Sequence, residues 1–122
     1  MFNKVCIIGC GLIGSSIARA IRKNNLSSKI VSSNRSDSVN KKVIELKIVD
    51  DSSSDTKKMA EGSDLIIIAT PLSSYEDIIS KIKNSLKSGT ILTDVGSVKE
   101  NIISLIEKDV PANVSWIPSH PI

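Results

Sequence analysis

The sequence predicts an α/β fold, a doubly wound and mostly parallel sheet of about six strands. Three observations predict it. Short β-branched apolar runs alternate with amphipathic stretches along the whole chain, as when crossover helices join parallel strands. A G-x-G-x-x-G stretch, Gly9-Cys10-Gly11-Leu12-Ile13-Gly14, separates the first such run, Val5-Cys6-Ile7-Ile8, from the first amphipathic stretch. Aromatics are only 2% of the 122 residues, so the core must be Ile, Val, Leu and Ala, which suits a sheet buried on both faces.

The elements follow in order. The first strand covers about residues 4–8 and the first helix 12–24, with Ile13, Ile17, Ala20 and Ile21 on one face. Residues 25–28 connect to a second strand over 29–33, which Asn34-Arg35-Ser36 follows. A helix over 38–46 leads to a short third strand at 47–49, and the polar stretch 50–55 reads as a loop. A weak helix covers 56–61. Residues 65–69 are the clearest buried strand, ended by Thr70-Pro71. The next helix runs over 74–86, with Ile78, Ile79, Ile82 and Leu86 inward and Ser74 and Asp77 spaced as a capping box. Gly89 breaks it before a fifth strand at 90–94. A helix over 97–108 turns Ile102, Ile103 and Ile106 inward, Pro111 interrupts, and a sixth strand at 114–117 precedes Pro118-Ser119-His120-Pro121-Ile122.

The length allows one domain with one core, residues 1–122. Hydrophobic residues at 40% and charged residues at 24% are ordinary for a soluble protein. Sixteen basic and 13 acidic residues give +3, an excess too small and too scattered to argue for nucleic acid or membrane as partner, and neither is expected; it favours no more than an anionic ligand. Cys6 and Cys10 match no metal spacing and read as free thiols in a reducing compartment. The apolar run near Met1 is too short for a signal peptide or a membrane span, so the cytoplasm is expected.

A strand before the glycines and a helix after them is the context in which the motif signals a dinucleotide. Gly9 would let the chain turn, Gly11 would let the backbone approach a pyrophosphate, and Gly14 would let the helix pack on the strand. The free N–H groups at Leu12, Ile13 and Gly14, with the helix dipole, would hold the phosphates. The ligand would lie across the carboxyl ends of the strands, where Asn34-Arg35-Ser36, Thr70-Pro71, Asp94 to Ser97 and Ser119-His120 also fall. An NAD site usually carries an acid about 20 residues past the glycines. Asn34 stands there, and no acid follows until Asp37. Asn34, Arg35 and Ser36 can all donate to a 2′-phosphate, so NADP is expected over NAD.

His120 is the only histidine, and a histidine can take a proton near neutral pH. Position alone leaves it either a general base or a surface residue of a Pro-rich tail. Ser97 is either the N-cap of Ser97-Val98-Lys99-Glu100 or a hydroxyl that orients a substrate. Lys99 and Asp94 read as a solvated helix residue and a strand-end acid, and Tyr75 and Trp116 as packing.

Three stretches together resemble the prephenate/arogenate dehydrogenases of tyrosine biosynthesis: Gly9 to Ala18, Asp94-Val95-Gly96-Ser97-Val98-Lys99, and Ser119-His120-Pro121-Ile122. The first is shared by many dinucleotide enzymes, and the other two are more specific. The resemblance implies a Rossmann-type NAD(P)-binding domain and oxidative decarboxylation of prephenate or arogenate. It implies that His120 engages the substrate 4-hydroxyl, that Ser97 bonds near it, and that Thr70-Pro71 lies along the cofactor. Asn34 departs from the acid of the NAD-preferring members. Family members continue into a helical domain that forms a homodimer and supplies basic residues for the substrate carboxylates. That domain is absent from this chain, which is expected to bind cofactor but to turn over prephenate poorly alone. Two other readings stay open. A 3-hydroxyacid-type NADP dehydrogenase leaves the second and third stretches unexplained, and a nucleotide-sensing regulatory module generally carries an acid where Asn34 stands.

Overall fold

A computed structural model of the protein describes residues 2–94 and 115–117. Strand β1 (Phe2–Ile8) leads through the glycine loop to α1 (Leu12–Lys23), and β2 (Ser27–Ser33) leads to α2 (Asp37–Glu45). Then come β3 (Asp51–Ser53), α3 (Thr56–Ala60) and β4 (Leu65–Ile68). A 3-10 turn (Leu72–Ser74) opens α4 (Tyr75–Ile82), and β5 (Ile91–Asp94) and β6 (Ser115–Ile117) complete the sheet. The six strands are parallel, in the order β3-β2-β1-β4-β5-β6. This is the order of a dinucleotide fold, and it reverses between β1 and β4, where such sheets bind their ligands.

Side chains alternate along each strand, so one apolar sequence supplies two cores. Val5, Ile7, Ile30 and Ile67 face one way, onto Ala18, Ile21 and Val43 of α1 and α2. Cys6, Ile8, Ile66 and Ile68 face the other way, onto Met59 of α3 and Ile78, Ile79 and Ile82 of α4. At the sheet edge away from the site, Asp64 accepts from the Asn3 and Lys4 N–H groups and pairs with Lys87. The Lys87 hydrogen bond, with those two amides, holds its carboxyl below the ordinary range.

Four expectations are corrected. The third strand is not 47–49 but Asp51–Ser53. Lys47 takes a left-handed φ of 58°, and the Ile48 N–H turns back to Val43 O at 2.9 Å. The pair therefore ends α2 in a helix-terminating turn. Ile48 and Val49 are still buried, but as a plug beneath the sheet, and the polar Asp51-Ser52-Ser53 forms the short edge strand beside β2. The α1 face that docks is Gly14, Ala18 and Ile21, while Ile13 and Ala20 are exposed. Gly14 takes the first place on that face because the helix start lies against the glycine loop, where a Cβ would meet Gly9 O. Ser74 caps nothing with its side chain, since it ends the 3-10 turn in helical conformation. Finally, α4 stops at Ile82, although Leu86 still packs on the core as expected. The helix expected over 97–108 lies outside the described residues, as do Pro111 and the closing 118–122.

Candidate functional site

The site is built at the carboxyl ends of β1, β2 and β4. Gly9 N–H donates to Ser33 O at 2.8 Å, so the glycine loop leaves the sheet while tied to β2. Gly9 has φ +91°, and a Cβ there would lie 2.5 Å from Thr70 Cγ2. Both facts demand glycine. Ser15 N–H donates to Gly11 O at 2.8 Å and starts α1. At Gly14 a Cβ would sit 2.3 Å from Gly9 O, so α1 can begin only if that residue has no side chain. Gly11 differs: a Cβ built on it meets no heavy atom within 4 Å. Its lack of a side chain is not required by the protein's own packing, as expected where a ligand backbone approaches closely.

No side chain caps α1, and its first turn carries no acid. The N–H groups of Leu12, Ile13 and Gly14 have no partner within the helix, and they sit at the positive end of its dipole. Leu12 and Ile13 are 87% and 58% exposed, so this helix start is open to solvent.

Beside the loop, over the point where the strand order reverses, lies a cavity of about 330 Å³. Gly9, Arg35, Thr56, Thr70, Pro71 and Lys81 are among its lining. Thr70 Oγ1 is buried with no hydrogen-bond partner among the described residues. A buried hydroxyl without a partner is rare and suits a site whose partner is a ligand. An uncapped helix start, open space at Gly11 and this hydroxyl together fit a dinucleotide.

The corner after β2 divides its labour differently from the sequence expectation. Asn34 is not a free donor: its amide nitrogen donates to Asn40 Oδ1 at 2.9 Å and to Ser32 and Ser52 Oγ at 3.3 Å. Its Oδ1 accepts from Cys10 N–H at 2.5 Å, which ties the glycine loop to this corner. Ser36 Oγ accepts from Val39 N–H as the N-cap of α2 and lies 2.8 Å from Ser38 Oγ. Of the three, Arg35 is the exposed cation on the cavity. Thr56, Ser54 and Lys81 were missed from sequence. Ser54 follows β3, which sequence placed too early. Lys81 could have been found as the i+4 partner of Asp77, its ion pair at 3.0 Å.

Burial disfavours the thiolate form of both cysteines. Burial pushes Cys6 up to about 12, and burial also raises Cys10 against hydrogen bonds from Ser15 and Ser32. Asp94, at the end of β5, is buried and accepts from Tyr75 Oη at 2.9 Å, so Tyr75 is more than packing. Ser97 and His120, the expected catalytic pair, lie outside the described residues. Among the described residues no helix is long and apolar enough to cross a membrane.

The family described as "Prephenate dehydrogenase, nucleotide-binding domain" matches residues 17–122. The match begins past the glycine loop, so the loop's geometry stands as a separate observation. A prephenate dehydrogenase of Lactococcus lactis is 36% identical, over 98% of this chain and 34% of its own length. A cyclohexadienyl dehydrogenase of Zymomonas mobilis is 29% identical, over 100% of this chain and 41% of its own. The chain thus spans between a third and two-fifths of the length of these relatives. The crystal structure of an Aquifex aeolicus prephenate dehydrogenase, in complex with hydroxyphenyl propionate and NAD+, superposes with a TM-score of 0.89. At 23% identity, over 100% of this chain and 42% of that one, the likeness is one of fold.

Proposed function

Because the chain belongs to the family of prephenate dehydrogenase nucleotide-binding domains, we propose that it holds the dinucleotide for oxidative decarboxylation of prephenate or arogenate, and that this dinucleotide is NADP. The observation that carries the reading is the uncapped start of α1 above the open space at Gly11, next to a cavity that Arg35 borders. When bound, NADP+ accepts the hydride that leaves C4 of the substrate ring.

The protein's residues do the rest. Backbone N–H groups of the first turn of α1 bind the pyrophosphate. Arg35 pairs with the 2′-phosphate, a dianion that a planar guanidinium can grip with two hydrogen bonds. With Asn34 and Ser36 engaged within the fold, the preference rests on Arg35. Thr70 Oγ1 and Pro71 border the nucleotide on the β4 side. His120 takes the 4-hydroxyl proton as hydride departs and Ser97 orients that hydroxyl; loss of the ring carboxylate as CO2 sends its electron pair to the 4-oxygen, which takes the proton back to leave the aromatic phenol. Topology supports this pair: β5 and β6 run parallel to β1, so their carboxyl ends share its edge of the sheet, and Ser97 and His120 each follow one of those ends by three residues. The substrate carboxylates and the homodimer contact belong to a further helical domain. The setting is the cytoplasm, where two free thiols stay reduced.

Calorimetric titration with NADP+ and NAD+ tests the reading. NADP+ is expected to bind at least about tenfold tighter, and Arg35→Ala to bring the ratio close to one, as loss of a charge-assisted pair should. An unchanged ratio in Arg35→Ala removes the role of this arginine. Binding of neither nucleotide by the folded chain removes the dinucleotide reading of this domain.

A further inference from the structure

We propose that Asn40 is a positioning residue that selects an amide, and rejects a carboxylate, at position 34, and so helps to set which dinucleotide the domain accepts. The inference rests on reading this corner as the end of the site that meets the ribose 2′ substituent.

Asn40 lies in α2, buried at 4% exposure, and does not border the cavity. Its orientation and that of Asn34 are both fixed by backbone groups, which cannot swap roles. Cys10 N–H can only donate, so the Asn34 atom that meets it at 2.5 Å is the oxygen. Asn34 O can only accept, so the Asn40 atom that meets it at 3.1 Å is the nitrogen. It follows that Asn34 Nδ2 donates to Asn40 Oδ1, at 2.9 Å. Two hydroxyls complete the network. Ser52 Oγ donates to Asn40 Oδ1 at 2.6 Å, and Ser32 and Ser52 Oγ lie 2.6 Å apart. The donors of Asn34 Nδ2 and Ser52 Oγ thus both meet Asn40 Oδ1.

An aspartate at 34 would keep the bond from Cys10 N–H through one oxygen. Its other oxygen would face Asn40 Oδ1, an acceptor against an acceptor in a partly buried setting. Turning the Asn40 amide over would only move the clash to Asn34 O. Rotating Ser52 to serve the carboxylate would strip Asn40 Oδ1 of a donor, and rotating Ser32 instead would break its bond to Ser52 Oγ while the carboxylate oxygen still faced Asn40 Oδ1. The network therefore disfavours the acid that would hold a ribose 2′-OH and repel a 2′-phosphate. The same bonds fix the carbonyl between Asn34 and Arg35, and with it the direction in which the chain presents Arg35.

The test is a double-mutant cycle on the 122-residue chain, with Asn34→Asp, Asn40→Ser and the pair, titrated with NADP+ and NAD+ alongside thermal melting. Serine at 40 can donate its hydroxyl to a carboxylate. Asn34→Asp alone is expected to weaken NADP+ by about tenfold or more without gaining NAD+, and adding Asn40→Ser to raise NAD+ affinity by about tenfold over the single variant. Independent effects on both affinities overturn the proposal. So does Asn40→Ser that lowers the melting temperature while the cycle shows no coupling, because Asn40 is then packing only. Should Asn34→Asp fail to fold, amide exchange at Cys10 in Asn40→Ser decides: about tenfold faster exchange supports the proposal and an unchanged rate overturns it. Wild-type preference for NAD+ would sink the NADP assignment instead, and the coupling would still be measurable in NAD+ affinity.

Discussion

Gly14→Ala is expected to lower stability by about 2–3 kcal/mol and to abolish measurable dinucleotide binding. The added methyl would lie 2.3 Å from Gly9 O, a backbone atom. That atom cannot swing aside, because Gly9 N–H is bonded to Ser33 O and the next amide, Cys10 N–H, to Asn34. The start of α1 must therefore move, and the N–H groups proposed to face the phosphates move with it. Gly11→Ala is the matched control. Its Cβ meets nothing and its φ of −79° suits alanine, so stability should change by less than about 1 kcal/mol. A methyl in the space proposed for the pyrophosphate should still weaken binding by about a hundredfold. Chemical denaturation and calorimetry on both variants check this. If Gly11→Ala binds as the wild type does, no ligand approaches that backbone, and the glycine loop is only a turn.

His120→Asn is expected to reduce kcat by about 10²- to 10⁴-fold in a chain extended by the helical domain, the usual cost of losing a general base. Nucleotide affinity should stay within about twofold, because the proposed base meets substrate and not the phosphates. If, as proposed, a helical domain holds the substrate carboxylates, residues 1–122 alone are expected to bind cofactor and to turn over prephenate poorly or not at all. Steady-state assays of the extended pair and of the short chain separate these outcomes. Robust turnover by the short chain would refute the need for a second domain. An extended His120→Asn protein with full activity would remove His120 from the proton step.

Much of the fold was legible because parallel strands buried on both faces leave a strong signature. Val5 to Ile8 and Leu65 to Ile68 are apolar at every position, since each face of the sheet meets helices. The third strand broke that rule. Asp51-Ser52-Ser53 pairs on one side only, at a polar edge, so nothing in its hydrophobicity marks it. Ile48 and Val49 look like a strand because they are buried, yet their amides close α2. Gly9 and Gly14 were legible from the sequence, because each answers a local demand, the one for a turn and the other for a close contact. The division of roles at Asn34-Arg35-Ser36 was not. All three can donate, and which one is free depends on Cys10, Ser32, Asn40 and Ser52, drawn from four separate segments.

By itself, then, the sequence determined the sheet's composition, the place of the glycine turn and the family motifs, because these follow from spacing along one chain. Only the tertiary structure decided that α1 docks on Gly14 and Ala18, that the edge strand is polar, and that Arg35 is the exposed cation while Asn34 braces the loop. Those outcomes depend on which atoms meet across the sheet, and hydrogen-bond partners distant in sequence are assigned only when the strands are paired.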